Sequence, residues 1–311
     1  MSDRDVLAAL YQSIRHDPAE FGPGTARLEV HGNRVIGAHR IAGLNVDVDE
    51  RDDGIAAVIR VDEGVRIEPP VHMCFGMLPE EGLQKIDLDM KIGADASVNI
   101  LAHCTFPNAV NVQHLMEADI EVGPGAEYAY FERHVHGPEG GVNVVPHARV
   151  AVREGGSFKT EFELIRGRVG KMDIDYEAEC EAHAVLDMLA RISGRGDDCV
   201  RINEVGHLRG AHASGALTSH VALRENARAR IENTLTAHAP GARGHVDCKE
   251  IVQDHAVASA VPVVEVHHPG AHITHEAAIG SVDSRQLETL LARGLTEDQA
   301  TELIIEGLLS R

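Results

Sequence analysis

Three side chains near the end of the chain, Cys248, His275 and Glu276, have the chemistry to bind a metal ion together. A thiolate is a soft ligand, an imidazole is intermediate and a carboxylate oxygen is hard, so the set suits soft and borderline metals, iron with sulfide included. Lys249 or a nearby histidine could stabilise the thiolate of Cys248. A lone cysteine in a β protein is also often a small buried hydrophobe. From the residues alone, both interpretations of Cys248 stay open.

Histidines are numerous, 20 in all, and they are densest just before Glu276. His268, His272 and Glu276 would share one face of a strand, so a metal cluster there is geometrically feasible. For His267, His268 and His272 we favour the alternative of surface histidines on a loop around residues 269–270.

Several common catalytic signatures are absent. Residues 275–279 read HEAAI, which begins like the zincin motif but has Ile279 where the second histidine must lie. The sequence has neither the G-x-x-x-x-G-K-[ST] loop that holds ATP phosphates nor the G-x-S-x-G of many hydrolases. We therefore reject a metalloprotease and expect no P-loop or nucleophile-elbow chemistry.

Charge and composition exclude further classes of partner. Lys and Arg number 29 against 49 Asp and Glu, a formal net charge of -20 that would repel a phosphate backbone, so we expect no nucleic acid partner. No secretory pattern and no run of about 18 apolar residues occur, so we expect a cytoplasmic protein with no membrane partner. The 5 cysteines are odd in number and scattered, which favours reduced thiols over disulfides or a CxxC zinc site.

The elements that must position these residues are mostly strands. Residues 1–20 predict a short helix, with apolar residues at helical spacing from Val6 to Ile14 and Pro18 at its end. From about residue 28 apolar and polar residues alternate, which is typical of half-buried strands, and no strong helix follows until about residue 283.

A local pattern returns along this β region: an apolar residue, a Gly or acidic turn, then alternating apolar positions. Copies begin at Ile92, Val122 and Val152, about 30 residues apart, and at Leu223 and Ala239, about 16 apart. A stacked β-solenoid would show such spacing, and so would an antiparallel sandwich built from hairpins. Periodicity favours the solenoid only slightly.

Two short helices are predicted at the end of the chain. Asp283 or Ser284 can cap the first, whose apolar positions Leu287, Leu290 and Leu291 precede a stop at Gly294. In the second, residues 296–299 form a capping box, and Ala300, Leu303 and Ile304 make an apolar stripe before Gly307. These helices either cover the β body or dock a partner.

The sequence resembles the SufB/SufD family of iron-sulfur cluster assembly scaffolds. The resemblance is specific in order and spacing over about residues 220–311, and a weaker one covers about residues 60–135. It is carried by residues 64–73 (GVRIEPPVHM), 248–252 (CKEIV), 261–266 (VPVVEV), 275–277 (HEA), 286–295 (QLETLLARGL) and 300–307 (ATELIIEG).

What the resemblance implies is a right-handed parallel β-helix core flanked by helices, dimerisation through that core, and docking of a SufC-like ABC ATPase on the C-terminal helices. It also implies that Cys248 and Glu276 match residues associated with the nascent cluster in SufB-type members, and that His275 matches a histidine of the SufD-type partner. Because this chain carries all three, we expect a homodimer in which Cys248 and Glu276 of one subunit meet His275 of the other.

The chain also departs from the family pattern. It is shorter than typical bacterial members, which leaves much of their N-terminal helical region without a counterpart. Cys104, Cys180 and Cys199 lie in unmatched contexts, and none corresponds to the second cysteine proposed to accept sulfur in longer members. We therefore hypothesise that sulfide enters directly.

Together these features predict a non-enzymatic scaffold that holds a transient iron-sulfur cluster and passes it to apo iron-sulfur proteins, with ATP hydrolysis in a separate subunit. One alternative is a structural subunit that organises the ATPase without a cluster. A β-solenoid enzyme acting on polysaccharide is less favoured, since the chain has 6 Phe, 4 Tyr and no Trp for sugar platforms. We divide the chain into an N-terminal helical segment (1–27), a β-helix core (28–282) and an ATPase-docking C-terminal helical segment (283–311).

Overall fold

A computed structural model describes residues 1–16, 21–22 and 24–310 of the chain. Within these residues three helices flank a long series of strands. The helices are α1 (Asp3–Ser13), α2 (Ser284–Leu291) and α3 (Glu297–Leu309). The strands are β1 (Arg27–His31), β2 (Arg34–His39), β3 (Leu44–Arg51), β4 (Gly54–Val61), β5 (Arg66–Gly76), β6 (Glu81–Ile92), β7 (Ser97–Phe106), β8 (Asn111–Val122), β9 (Glu127–His136), β10 (Val142–Val152), β11 (Ser157–Arg166), β12 (Gly170–Cys180), β13 (Val185–Gly194), β14 (Cys199–Leu208), β15 (Ser214–Leu223), β16 (Arg228–Ala237), β17 (Arg243–Val252), β18 (Val257–Val266) and β19 (His272–Gly280).

From β4 onward, successive strands alternate between two sheets. Sheet A holds β1, β2 and the odd-numbered strands from β5 to β19, and sheet B holds β3 and the even-numbered strands from β4 to β18. Each strand of the series pairs in parallel with the strand two places on, as β15 does with β17. Antiparallel pairs occur only at the start, between β1 and β2 and between β3 and β4, within the described residues. The chain is therefore a parallel β-solenoid.

One coil of the solenoid takes about 30 residues. In sheet A the residues that lie directly above one another are Ser97, Glu127, Ser157, Val185, Ser214, Arg243 and His272, which are 30, 30, 28, 29, 29 and 29 residues apart. The turns near Leu223 and Ala239, about half this distance apart in the sequence, are the two corners of one coil, because the chain changes sheet at each corner. The predicted solenoid is confirmed, and the antiparallel sandwich is excluded by the parallel pairing.

The interior and the corners follow from residue type. Alternate residues of each strand point between the sheets, where Val, Ile, Leu, Ala and Met form one continuous core. One corner repeatedly needs a left-handed backbone, with φ 65° at Gly125 and φ 67° at Gly155, which glycine adopts without strain. Other coils place Asp95, His183 and His212 at the same kind of turn. The repeat therefore tolerates varied turn residues.

Helix α1 lies against the first coils. Ser2 and Asp5 form a capping box at its N-terminus, and Leu10 and Tyr11 are buried. The hydroxyl of Tyr11 donates to Glu29 Oε1 at 2.9 Å in a buried contact. The helix ends at Ser13. Pro18, where the sequence predicts its end, lies outside the described residues.

Helices α2 and α3 begin where the capping signals predict. The carboxylate of Asp283 accepts the N–H of Gln286, and Thr296 and Gln299 form the capping box of α3. Two details of the prediction are wrong. Helix α3 runs through Gly307 to Leu309, and its buried face is Ala300, Thr301, Ile305 and Leu309, whereas Leu303 is 47% exposed. None of the helices in the described residues is long and apolar enough to span a membrane.

Candidate functional site

Cys248 lies in the interior of the solenoid. It is on β17 with no exposed surface, and its neighbours in sheet A are Ser219 on β15 and Ala277 on β19. The amide nitrogen of Asn233, which reaches across from sheet B, donates to Ser219 Oγ at 2.8 Å and lies 3.8 Å from Cys248 Sγ. The thiol is therefore part of a small buried polar group rather than of a purely apolar core.

Two carboxyl groups share this interior environment. Glu250 lies two residues beyond Cys248 on the same face of β17, is 2% exposed, and neither of its oxygens has a hydrogen-bond partner among the described residues. Burial raises the pKa of Glu250 to about 7 and that of Glu204, fully buried on β14, to about 8. Burial, and then the nearby Glu250 and Glu204, raise the pKa of the Cys248 thiol to about 12. In this state Cys248 is a neutral thiol.

His275 and Glu276 lie on the last strand, β19, and both are exposed. The parallel register puts His275 beside Val246 and Glu276 beside Asp247. Since neighbours in register share a face and alternate residues change face, His275 is on the inner face with Cys248, and Glu276 is on the outer face. One chain therefore does not bring Cys248 and Glu276 together, although they are on adjacent strands.

The other histidines of this region are held by local contacts. His267 stacks on His238 with ring centroids 4.4 Å apart and bonds to Glu265 at 3.0 Å. His268 Nδ1 accepts the N–H of Gly270 at 3.0 Å, and His272 is exposed. None of the three belongs to a set of metal-ligand side chains in the part of the chain that the structure describes.

The sequence analysis missed a second group of ligand-type side chains. Cys104, His114, Glu132 and His134 are all buried, and one potential ligand atom from each lies within 4.8 Å of the others. The available signal was the alternation of Glu132, His134 and His136 on β9, which puts all three on the inner face, and the coil period that sets His134 beside Cys104.

The final coil is open. Within the described residues, β18 pairs only with β16 and β19 only with β17, so both strands leave one edge of backbone N–H and C=O groups unpaired. Val257, Val261 and Val263 project from the outer face of β18 and are 53%, 37% and 36% exposed. This end of the solenoid therefore presents both unpaired backbone and apolar side chains.

The C-terminal helices lie beside this end. Ile305 and Leu309 of α3 pack on Ala222 at the outer face of sheet A, and Glu302 forms ion pairs with Arg195 and Arg224. Helix α2 has no buried residue. A groove between the two helices and strands β17 and β19 is lined in part by Ile279, Leu290, Leu303 and Ile304. Apolar positions of both helices therefore stay accessible.

Fold and site together define a parallel β-solenoid that is open at its C-terminal end. Its last two strands in sheet A carry Cys248, His275, the buried carboxyl group of Glu250 and the exposed carboxylate of Glu276. Residues 83–308 match the SUF system FeS cluster assembly, SufBD core domain. The chain therefore belongs to the SufBD family of iron-sulfur cluster assembly proteins, as its resemblance to that family predicts.

Three curated relatives match between 81% and 99% of this chain. An iron-sulfur cluster assembly SufBD family protein of Methanocaldococcus jannaschii is 36% identical over 99% of this chain and 99% of its own length. Another SufBD family protein, from Pyrococcus horikoshii, is 32% identical over 99% of this chain and 94% of its own length. The iron-sulfur cluster assembly protein SufB of Bacillus subtilis is 24% identical over 81% of this chain and 54% of its own length.

Proposed function

We propose that the chain is a non-enzymatic scaffold on which an iron-sulfur cluster is assembled and from which it is passed to apo iron-sulfur proteins in the cytoplasm. The observation that carries the proposal is the position of Cys248, a soft ligand buried beside the polar side chains of Asn233 and Ser219, one strand from the open edge of a SufBD-family solenoid. The cluster, whose type is left open, is the cargo of the protein.

The proposed working unit is a homodimer that forms through the open coils. Unpaired edge strands and an exposed valine row are features that a second chain could cover. In this dimer Cys248 and Glu276 of one subunit and His275 of the other are the cluster ligands. Soft, hard and intermediate ligands of this kind hold a cluster less tightly than four thiolates would, which suits transfer.

Cluster binding requires the site to open. The thiol of Cys248 is buried and neutral, and Glu276 is on the other face of the sheet, so the closed chain cannot use both. Exposure to water and iron would return the thiol toward its ordinary acidity and yield the thiolate that binds metal. We assign the opening to a separate SufC-like ABC ATPase that docks on the accessible apolar positions of α2 and α3.

The complete burial of Cys248 also favours a second candidate, a structural subunit that organises the ATPase and never binds a cluster. The two candidates differ in one measurable property. A scaffold binds iron and sulfide through Cys248, whereas a structural subunit co-purifies with the ATPase under anaerobic conditions and carries no iron.

The test is anaerobic reconstitution with ferrous iron and sulfide, read as iron-sulfur absorbance and iron content. We expect the parent chain to gain the iron-sulfur absorbance. In Cys248→Ala this absorbance should be at least about tenfold lower than in the parent, because the soft ligand is gone. Cys180→Ala is the matched control, since Cys180 is equally buried but lies on β12 away from the last coils. Equal cluster content in Cys248→Ala and the parent would reject the scaffold assignment.

A further inference from the structure

A buried set of four ligand-type side chains lies in the early coils, away from Cys248. Cys104 is on β7 and Glu132 and His134 are on β9 of sheet A, and His114 faces them from β8 of sheet B. Four strand spacings of about 4.8 Å separate β9 from β17, so the two regions are roughly 19 Å apart. The set is therefore independent of the proposed cluster site.

A hydrogen-bond chain determines which nitrogen of His134 is free. The carbonyl oxygen of Arg168 can only accept, so His136 Nδ1 donates to it at 3.2 Å. A neutral imidazole carries one proton, so Nε2 of His136 has a free lone pair. His136 Nε2 then accepts from His134 Nδ1 at 3.0 Å. His134 Nε2 is left with a lone pair that points at Glu132 Oε1, 2.8 Å away.

This contact joins two acceptors and needs a positive partner between them. With no ion present, the partner is a proton on Glu132. A second buried group is left without a partner, because His114 Nδ1 makes no hydrogen bond among the described residues. Unpaired buried nitrogen of this kind is costly, and a metal ion is one way to satisfy it.

We propose that Cys104, His114, Glu132 and His134 bind one divalent transition-metal ion, Zn²⁺ or Fe²⁺, inside the solenoid. Metal–ligand bonds of about 2.0–2.3 Å in a tetrahedron put neighbouring ligand atoms about 3.5 Å apart. Cys104 Sγ and Glu132 Oε1 are 3.6 Å apart, close to that separation. His136 and the Arg168 carbonyl then orient His134, as outer partners of metal-binding histidines commonly do.

Charge and proton balance also fit the interior. The ion replaces the thiol proton of Cys104 and the carboxyl proton of Glu132, so two protons leave as one dication enters. The thiolate and the carboxylate neutralise the ion, and the filled site has no net charge. A neutral site avoids the high cost of an uncompensated charge in a buried environment. The ion is structural in this arrangement, since all four ligand positions are occupied by protein.

The test uses the full chain with Cys248→Ala, so that the proposed cluster site contributes no thiolate and the two proposals fail separately. The chain is refolded anaerobically with Co²⁺, and thiolate-to-cobalt absorbance and cobalt content are measured. We expect about one ion per chain and charge-transfer absorbance. A further Cys104→Ser change should remove that absorbance and weaken binding at least about tenfold, whereas Cys180→Ser, the matched buried control, should change neither.

Two further measurements distinguish loss of a metal ligand from misfolding of the Cys104 variant. Glu132→Gln keeps the side-chain volume and should also bind cobalt at least about tenfold more weakly, with folding checked by circular dichroism. Calorimetry of Zn²⁺ or Fe²⁺ binding in buffers of different ionisation enthalpy should show release of about two protons per ion. Uptake of either ion with this proton release supports the site. No uptake, no proton release, or unchanged binding in folded Glu132→Gln would overturn it.

Discussion

The two ends of the solenoid are built differently. At the N-terminal end both sheets finish in antiparallel hairpins, β1–β2 and β3–β4, and helix α1 packs on the first coils. The outermost strand of sheet B there is β3, with the sequence LNVDVDER, and it carries four charged residues. At the C-terminal end β18, with the sequence VASAVPVVEV, has one charged residue and a row of exposed valines.

Edge strands invite pairing with other chains, and proteins usually suppress this with charge, short strands or a covering element. The N-terminal end uses all three devices and the C-terminal end uses almost none. The difference supports the proposal that the C-terminal end is covered by a second copy of the chain. The candidate ligands Cys248, His275 and Glu276 are within one strand of this uncovered edge, which fits the same proposal.

Lysine on the valine row should give the largest effect. In the proposed dimer, Val261→Lys with Val263→Lys would bury two unpaired ammonium groups against the partner chain. We expect the dissociation constant of that dimer to rise at least about 100-fold, or about 3 kcal/mol. Sedimentation measures this change. Val58→Lys is the matched control, because Val58 is 38% exposed on β4 near the other end and pairs with Asp47 and Asp89. An unchanged dissociation constant in the double variant would show that the exposed valines of β18 are not in the dimer interface.

The interiors beneath the two ends should respond to pH in opposite directions. Glu204 has a pKa of about 8 when folded and near 4.5 when unfolded, so the folded chain holds an extra proton between these values and loses stability as pH rises through them. Burial lowers the pKa of His72, near the N-terminal end, to about 3, which makes that region lose stability as pH falls below 6.5.

Glu204→Gln should remove the first of these effects. At about 1.4 kcal/mol for each pKa unit, we expect the variant to gain roughly 3–5 kcal/mol over the parent at pH 8.5 and little at pH 4. Urea unfolding at the two pH values measures the gain. A gain of the same size at both values would contradict the assigned protonation state.

At the C-terminal end, the buried and exposed faces of α3 should affect different properties, stability and partner binding respectively. Ile305→Ala empties a buried contact with Ala222 and Leu309 and should cost about 2–4 kcal/mol of unfolding free energy. Leu303→Glu, on the exposed face, should change stability by less than about 0.5 kcal/mol yet weaken binding of the proposed ATPase partner at least about tenfold. Thermal unfolding and a pull-down with the ATPase separate the two effects, and full ATPase binding by Leu303→Glu would argue against docking on this face.

At the closed end we expect a smaller loss of stability than for Ile305→Ala. Tyr11→Phe removes the hydroxyl that donates to the buried carboxylate of Glu29, which should cost about 1–3 kcal/mol of stability. The dimer should stay intact, because α1 lies at the far end from the open coils. Dissociation of the dimer in Tyr11→Phe would show that both ends take part in assembly.

The sequence predicted the strands better than their arrangement. Alternating residues and tight turns indicate strands in a solenoid and in a sandwich alike, because each strand of either fold buries one face. What separates the two is which strand pairs with which, and the register of Ser97 with Glu127 is not visible in local composition. The family resemblance, rather than the alternation, is what selected the correct fold.

For the candidate sites too, the local sequence does not show which residues are neighbours across strands. Cys248 was identified from its type and context, but its burial and the opposite face of Glu276 follow from the parallel register alone. The sequence analysis gives Cys104 no role because its context has no match in the family. Its neighbours in space, at 114, 132 and 134, are 10, 28 and 30 residues away on other strands. Only the coil period brings such residues together. The division of the chain at residues 27 and 282 stays a prediction.

The shared site is tested most directly by complementation in a heterodimer. One chain carries Cys248→Ala with Glu276→Ala, the other carries His275→Ala, and two affinity tags isolate the mixed dimer for anaerobic reconstitution. If the ligands come from both chains, one of the two sites is intact, and the mixed dimer should hold about half the cluster of the parent while each variant homodimer holds almost none. A mixed dimer without cluster, beside a parent dimer that binds it, would contradict the account.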